Sequence, residues 1–271
     1  MRLSLLLAVS TFAIAGCGPL TTMCDDPRND CDHPAGGAQR IADFRQSDPA
    51  ARPPLAIPVN FRTTYVIGVD DFLEAGTSAK IGDIFIEQRI ADENYPGCAP
   101  DPVHHGRVCG IQLFAPTPIP AGTHMTLGDI ANVSGGQYEE FNCGTCATTF
   151  SDGRTLPEIG QPTVERVGSG LAPDPIDVTV AQLIDPDHGD DYVGVLVRIT
   201  DVVTTTAISP RGEITLVPGL NMTGQLMALV DPSTGAPLAA GTRLTGVTGI
   251  ASYFFGSKII PRSVHDYTVM H

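Results

Sequence analysis

From Tyr192 to Thr200 the chain alternates, with Val193, Val195, Val197 and Ile199 on one side of an extended backbone and Tyr192, Gly194, Leu196, Arg198 and Thr200 on the other. A period of two held over this length predicts a strand with one wholly apolar face. The same alternation recurs at Ile214 and Leu216, then at Leu226, Ala228 and Val230. Earlier it appears at Ile84 and Ile86, Ile111 and Leu113, and Met125 and Leu127. Turns rich in Gly and Pro separate these runs. Helical spacing is confined to two short stretches, Ile41 to Phe44 and Val180 to Leu183, each ahead of a set of strands. The pattern predicts an all-β protein.

The runs fall into two copies. Pro118-Ile-Pro-Ala-Gly-Thr-His-Met-Thr126 lies over Pro237-Leu-Ala-Ala-Gly-Thr-Arg-Leu-Thr245, so that Gly122 matches Gly241, Thr123 matches Thr242 and Thr126 matches Thr245 at an offset of 119. Ile130-Ala131 matches Ile250-Ala251 at 120, whereas Ile81 to Ile86 lies over Pro210 to Leu216 at an offset near 130. A fixed-order match of this kind is the mark of an internal repeat. The first copy carries about 11 more residues, bracketed by Cys98 and Cys109. Stapling an insertion at its own base lowers the entropy lost on ordering it.

The start of the chain differs from the rest. Arg2 precedes an apolar run from Leu3 to Ala15 that is too short to cross about 30 Å of hydrocarbon as a helix and so reads as an export signal. Ile14-Ala15-Gly16-Cys17 resembles the lipobox of bacterial lipoproteins, in which residues 1–16 are removed and Cys17 takes a thioether-linked diacylglycerol with further acyl chains such as palmitate. In such proteins an Asp directly after the lipidated Cys favours retention in the inner membrane; Gly18 stands there, so the resemblance implies anchoring in the outer membrane. More than one acyl chain gives stable attachment. Residues 17–38 are rich in Pro, Asp, Gly and Asn without apolar periodicity, and read as a disordered, lipidated tether.

Six other cysteines remain in close pairs, Cys24 with Cys31, Cys98 with Cys109, and Cys143 with Cys146. An even number in an exported chain reads as disulfides, and the local pairing is the simplest. The competing reading is a zinc site built from Cys143 and Cys146 with Cys98, Cys109, His104 or His105.

Val178 to Leu183, the run Asp191 to Asp201, Leu244-Thr-Gly246 through Gly249-Ile250, and Pro261-Arg262-Ser263-Val-His-Asp266 resemble the OB-fold-like domains of bacterial secreted nucleases and surface lipoproteins. The likeness covers nearly all of 174–271. Over 39–173 it rests on Ile41 to Arg45 and on Gln161-Pro162-Thr-Val, where the closing Arg-Ser-x-x-Asp is absent. It implies two tandem OB-fold-like β-barrel domains, 39–173 with the stapled insertion 98–109, and 174–271. Arg262 is expected to pair with Asp266 four residues on.

Charge narrows the partners. Asp and Glu number 30 against 16 Lys and Arg, a formal net charge of −14 that becomes −15 once Arg2 is cleaved away. A chain this acidic opposes polyanions, so nucleic acid is an unfavourable partner. Trp is absent and aromatic residues make up 6%, which argues against a broad stacking platform. No nucleophile elbow, His-Glu-x-x-His, phosphate loop or dinucleotide fingerprint occurs.

Two weaker constellations remain. Asp185, Asp187, Asp190 and Asp191 crowd a Pro/Gly loop that would suit calcium, which takes six to eight oxygens, although the closing Glu of an EF-hand is missing; otherwise they form a solvated acidic turn. Tyr253, Phe254 and Phe255 precede a turn and offer rings to a ligand, or else pack in the core. Asp70-Asp71 and Glu139-Glu140 read as solvated loop charges. The expectation is a non-catalytic, lipid-anchored cell-surface protein without a cofactor, recognising an extracellular oligosaccharide or protein. The alternative is an extracellular phosphodiester-directed hydrolase or nucleic-acid-binding accessory protein.

Overall fold

Thr179 opens the second half of the molecule as a helix cap. Its hydroxyl accepts the Gln182 backbone N–H while the Gln182 side chain accepts the Thr179 N–H, a reciprocal box that satisfies the first turn of a helix spanning Val180–Leu183. This helix, α2, and its counterpart α1 (Ile41–Phe44) fall where the short helical spacings lie in the sequence. A computed structural model describes residues 38–45, 52–70, 82–90, 98–103, 106–142 and 154–271. The export signal 1–16, Cys17, the tether up to residue 37, Cys24, Cys31, Asp71, His104, His105, Cys143 and Cys146 lie outside the described residues.

Among the described residues everything else of regular structure is strand, apart from a 3₁₀ turn at Gly189–Tyr192, and the protein is all-β. The first half carries β1 (Val59–Val69), β2 (Ile84–Ile90), β3 (Ala99–Asp101), β4 (Gly106–Phe114), β5 (Thr117–Ile119), β6 (Asp129–Gly135), β7 (Gln137–Phe141), β8 (Leu156–Gly160) and β9 (Thr163–Ser169). The second carries β10 (Ile176–Val178), β11 (Leu196–Ile199), β12 (Val203–Thr204), β13 (Glu213–Val217), β14 (Leu220–Thr223), β15 (Arg243–Thr245), β16 (Val247–Tyr253), β17 (Ser257–Ile260) and β18 (Thr268–Met270). The first nine make one sheet in the order β5-β9-β6-β1-β2-β4-β8-β7, with β3 beside β4. A second sheet runs β10-β11-β16-β17-β14-β13, and a third β12-β15-β18.

The internal repeat is structural. Gly122 and Gly241 adopt the same left-handed backbone, at φ 85° and 84°, and the N–H groups of Thr123 and Thr242 close the same turn on the carbonyls of Pro120 and Ala239. In each half an early strand pairs antiparallel with a later one, β1 with β6 and β11 with β16. Each half also contains a parallel pair, β4 with β8 and β14 with β17.

Closed barrels were expected, and the sheets are open. In the first half β6 and β7 follow one another through Gly136, where a Cβ would lie 2.7 Å from the Gly160 carbonyl oxygen, and no ladder crosses this bend. In the second half the chain leaves β11 after Ile199, and β12 pairs with β15 instead of continuing beside β13. Three expected strands are also shorter or absent. Gly194 sits at φ 82° after the 3₁₀ turn, so the alternation from Tyr192 becomes a strand only from Leu196. Leu226 to Val230 and Met125 to Leu127 are loop, with Leu229 and Met125 inside and Ala228 and Leu127 outside.

One hydrophobic cluster fills the first half, around Phe44, Phe61, Ile86, Ile111, Leu113, Tyr138 and Ile159. Another fills the second, around Val195, Val197, Ile199, Ile214, Met222 and Ile259. A third joins Ile67 and Phe85 to Leu196, Ile250 and Ile260 across the two halves. Residues 38–271 accordingly form a single compact unit. Leu196 therefore has a buried partner on the side of the alternation that the sequence reads as polar.

Cys98 and Cys109 pair as a disulfide with Cα atoms 5.0 Å apart. Cys98 directly precedes β3 and Cys109 lies within β4; beside them Ala99 faces Val108, and those two side chains pack into the core of the second half. The sulfur atoms of Cys98 and Cys109 are consumed by this bond, which removes them from the zinc reading. Among the described residues no helix is long and apolar enough to cross a membrane.

Candidate functional site

Strands β4, β8 and β7 lie side by side, and their pleat divides the residues between two faces. Ile111, Leu113, Ile159 and Tyr138 point into the first core. The alternate residues form rows on the other face. Gln112 stands beside Glu158, and Glu158 beside Glu139; one row on, Phe114 stands beside Gly160, and Gly160 beside Gln137; Leu156 pairs with Phe141. These rows line a cleft of about 1010 Å³ together with Asp83 and with Gln225, Ser252 and Phe254 of the second half.

Glu158 is the least ordinary group in the cleft. It is 6% exposed and has no hydrogen-bonding or ionic partner among the described residues. Burial, then the negative charges of Asp83 and Glu139, push its carboxyl up to about 8. The Asp83 carboxylate accepts from the side-chain amides of Gln112, at 3.0 Å, and Gln225, at 3.3 Å. Gln225 also reaches Asp70 at 3.2 Å. Phe254 is 38% exposed and stacks on Phe141, with ring centroids 6.1 Å apart and planes 6° from parallel. Lys258 lies 5.4 Å from the Phe254 centroid but is paired with Glu213.

Of the three aromatic candidates, Phe254 lines the cleft. Tyr253 is 3% exposed with the Arg154 guanidinium over its ring, and Phe255 packs against the cluster of Leu156, Val193 and Tyr253. The acidic loop makes its contacts largely within itself. One Asp185 oxygen accepts the N–H groups of Asp187 and His188, Asp190 pairs with Arg154 at 3.5 Å, and Asp191 lies beside His188. Hydrogen bonds from the loop backbone hold the Asp185 carboxyl below its ordinary range, as an Asx turn does. Among the described residues no group of three or more His, Cys, Asp or Glu side chains is placed to hold a metal ion.

Glu139 and Glu140 belong to β7 and not to a loop, and the strand separates them. Glu139 faces the cleft, whereas Glu140 takes hydrogen bonds from Tyr138, Thr155 and Arg52. Sequence reasoning passes over Glu158 altogether. Its one signal is a carboxylate set against Ile159 within Leu-Pro-Glu-Ile-Gly, which is legible as an outward position only once the neighbours of β8 are known.

The arrangement offers carboxylate acceptors, amides that donate and accept, and an aromatic face, all in one concave space. Such a surface suits a ligand rich in hydroxyl or amino groups and repels phosphate. No family model matches the chain, and no curated protein is found to be similar to it.

Proposed function

We propose that this protein is a non-catalytic, lipid-anchored cell-surface protein of the bacterial outer membrane that recognises an extracellular oligosaccharide in the cleft over β4, β8 and β7. The observation that carries the reading is the row Gln112, Glu158 and Glu139 lining one cleft with Phe254. Carboxylates and amides accept and donate the hydrogen bonds of sugar hydroxyls, and a ring covers an apolar sugar face. The acidity of the same surface disfavours a phosphodiester ligand.

The anchor rests on Ile14-Ala15-Gly16-Cys17, and the outer-membrane address on Gly18. The OB-fold-like reading of the two halves draws support from strand order. In the second half β13-β14-β17-β16-β11 has the succession second, third, fifth, fourth, first, with the third and fifth parallel. In the first half β1, β2, β4 and β8 follow the same order, and the strand bent at Gly136 supplies β6 to β1 and β7 to β8.

The test is calorimetric titration of the full-length chain, purified in detergent, against hits from an oligosaccharide array. Phe254→Ala and Gln112→Ala are each expected to weaken binding about tenfold, roughly 1.4 kcal/mol, and the sugar is expected to be recovered uncut. Binding that survives both substitutions unchanged, or a lack of any oligosaccharide hit, overturns the reading.

A further inference from the structure

We propose that the ligand of this cleft carries a protonated amine, an amino sugar and not a neutral or acidic one, and that the ammonium seats on Glu158. The inference rests on the oligosaccharide reading and deepens it. A carboxylate that is 6% exposed ordinarily has a partner, because its lost hydration is otherwise uncompensated. Glu158 has none among the described residues.

Among the described residues, the cations nearby are committed elsewhere. Lys258 is paired with Glu213, Arg154 with Asp190 and the Asp185 carbonyl, and Arg52 with Glu140. Glu158 stands beside Glu139 on one side and Gln112 on the other, and Gln112 directs one amide N–H to Asp83 rather than to Glu158. The cleft is thus a negative recess with its deepest group unsatisfied. A sugar hydroxyl would give Glu158 one neutral donor, while an ammonium gives three donors and a charge. A metal ion fits less well, since no set of ligands is grouped for one among the described residues. The raised affinity of Glu158 for a proton is what a seated cation would reverse, so binding should expel that proton near neutral pH.

The experiment titrates the full-length chain at pH 7 with three probes: a glucosamine tetramer, its N-acetylated counterpart, and spermidine. Each run is repeated in two buffers of different ionisation heat to count protons released. The glucosamine tetramer is expected to bind about tenfold or more tighter than the N-acetylated one, with proton release that Glu158→Gln abolishes. Glu139→Gln, at an exposed position, should reduce the preference and serves if Glu158→Gln does not fold. Equal affinity for the two tetramers overturns the amine inference and leaves the oligosaccharide reading standing. Spermidine binding as tightly as the glucosamine tetramer supports the amine and overturns the oligosaccharide. Binding of none overturns both.

Discussion

Glu87, on β2 of the first half, accepts the backbone N–H of Leu196, the first residue of β11 in the second. A carboxylate with 0% exposure is used here to join the two halves of an internal repeat. Its other oxygen, Oε2, has no hydrogen bond and lies 3.8 Å from the Arg89 guanidinium. Beside it the backbones of Gly110 and Gly194 touch, so that a Cβ on Gly110 would fall 1.8 Å from the Gly194 carbonyl oxygen. The two halves are pressed together at main-chain distance, and the junction is as specific as either core.

Stability should therefore fall as pH rises through neutrality. Burial raises Glu87 from 4.5 to about 7 against the opposing pull of the Leu196 N–H, Arg89 and Arg262, and Glu158 rises to about 8. A folded state that holds protons more tightly than the unfolded one is fully favoured below the unfolded value and loses that advantage as pH climbs to the folded one. Each tenfold difference in proton affinity is worth about 1.4 kcal/mol, so the two shifts together set an upper bound of about 8 kcal/mol. Melting temperatures from pH 4 to 9 should decline for the wild type through this window and decline less for Glu87→Gln, which keeps an acceptor for Leu196. Parallel curves for the two proteins would refute the assignment.

Gly110→Ala should be among the most damaging single methyl additions to this chain. The obstacle is backbone of the other half and cannot rotate aside, so a loss of about 3 kcal/mol or more is expected in chemical denaturation. Gly122→Ala meets no atom within 4 Å and suffers only from its φ of 85°, for which about 1 to 2 kcal/mol is expected. Similar losses at the two sites would show that the halves separate easily.

Reduction of the Cys98–Cys109 disulfide should weaken more than its hairpin. Ala99 and Val108 belong to the core of the second half, and Arg89 at the end of β2 donates to the Asp174 carbonyl ahead of β10. Cys98→Ser with Cys109→Ser is expected to lower stability by about 2 to 3 kcal/mol. Hydrogen exchange should then speed up in β11 and β13 as well as in β3; protection lost in β3 alone would limit the staple to local order.

Cys17→Ala should release the protein from the membrane. Radiolabelled palmitate is expected in the wild-type chain and absent from the variant, which fractionates as soluble protein. Label retained in Cys17→Ala would mean that the anchor lies elsewhere.

Several features are determined by the sequence alone because they are local. Period-two alternation marks Ile84 and Ile86 in β2, Ile111 and Leu113 in β4, and Ile214 and Leu216 in β13; the cap at Thr179 starts α2; and matching Gly-Thr pairs place Gly122 and Gly241 in one turn. The pair Arg262 and Asp266, four residues apart, is likewise local, and its guanidinium lies 3.0 Å from the carboxylate. What only the tertiary structure decided depends on residues far apart in the chain. Leu196 is buried against Ile250 and Phe85, and the backbone of Gly194, at φ 82°, lies against that of Gly110 just ahead of β11. In the second half β12 pairs with β15 instead of continuing beside β13, a pairing that alternation within a strand does not specify. Most of all, Glu158, Glu139 and Phe254 become one surface only when three strands set their registers and the second half closes over them. The place of Glu158 in the chain leaves its face of β8 undecided, and both that face and the neighbours that strip it of water are supplied by the fold.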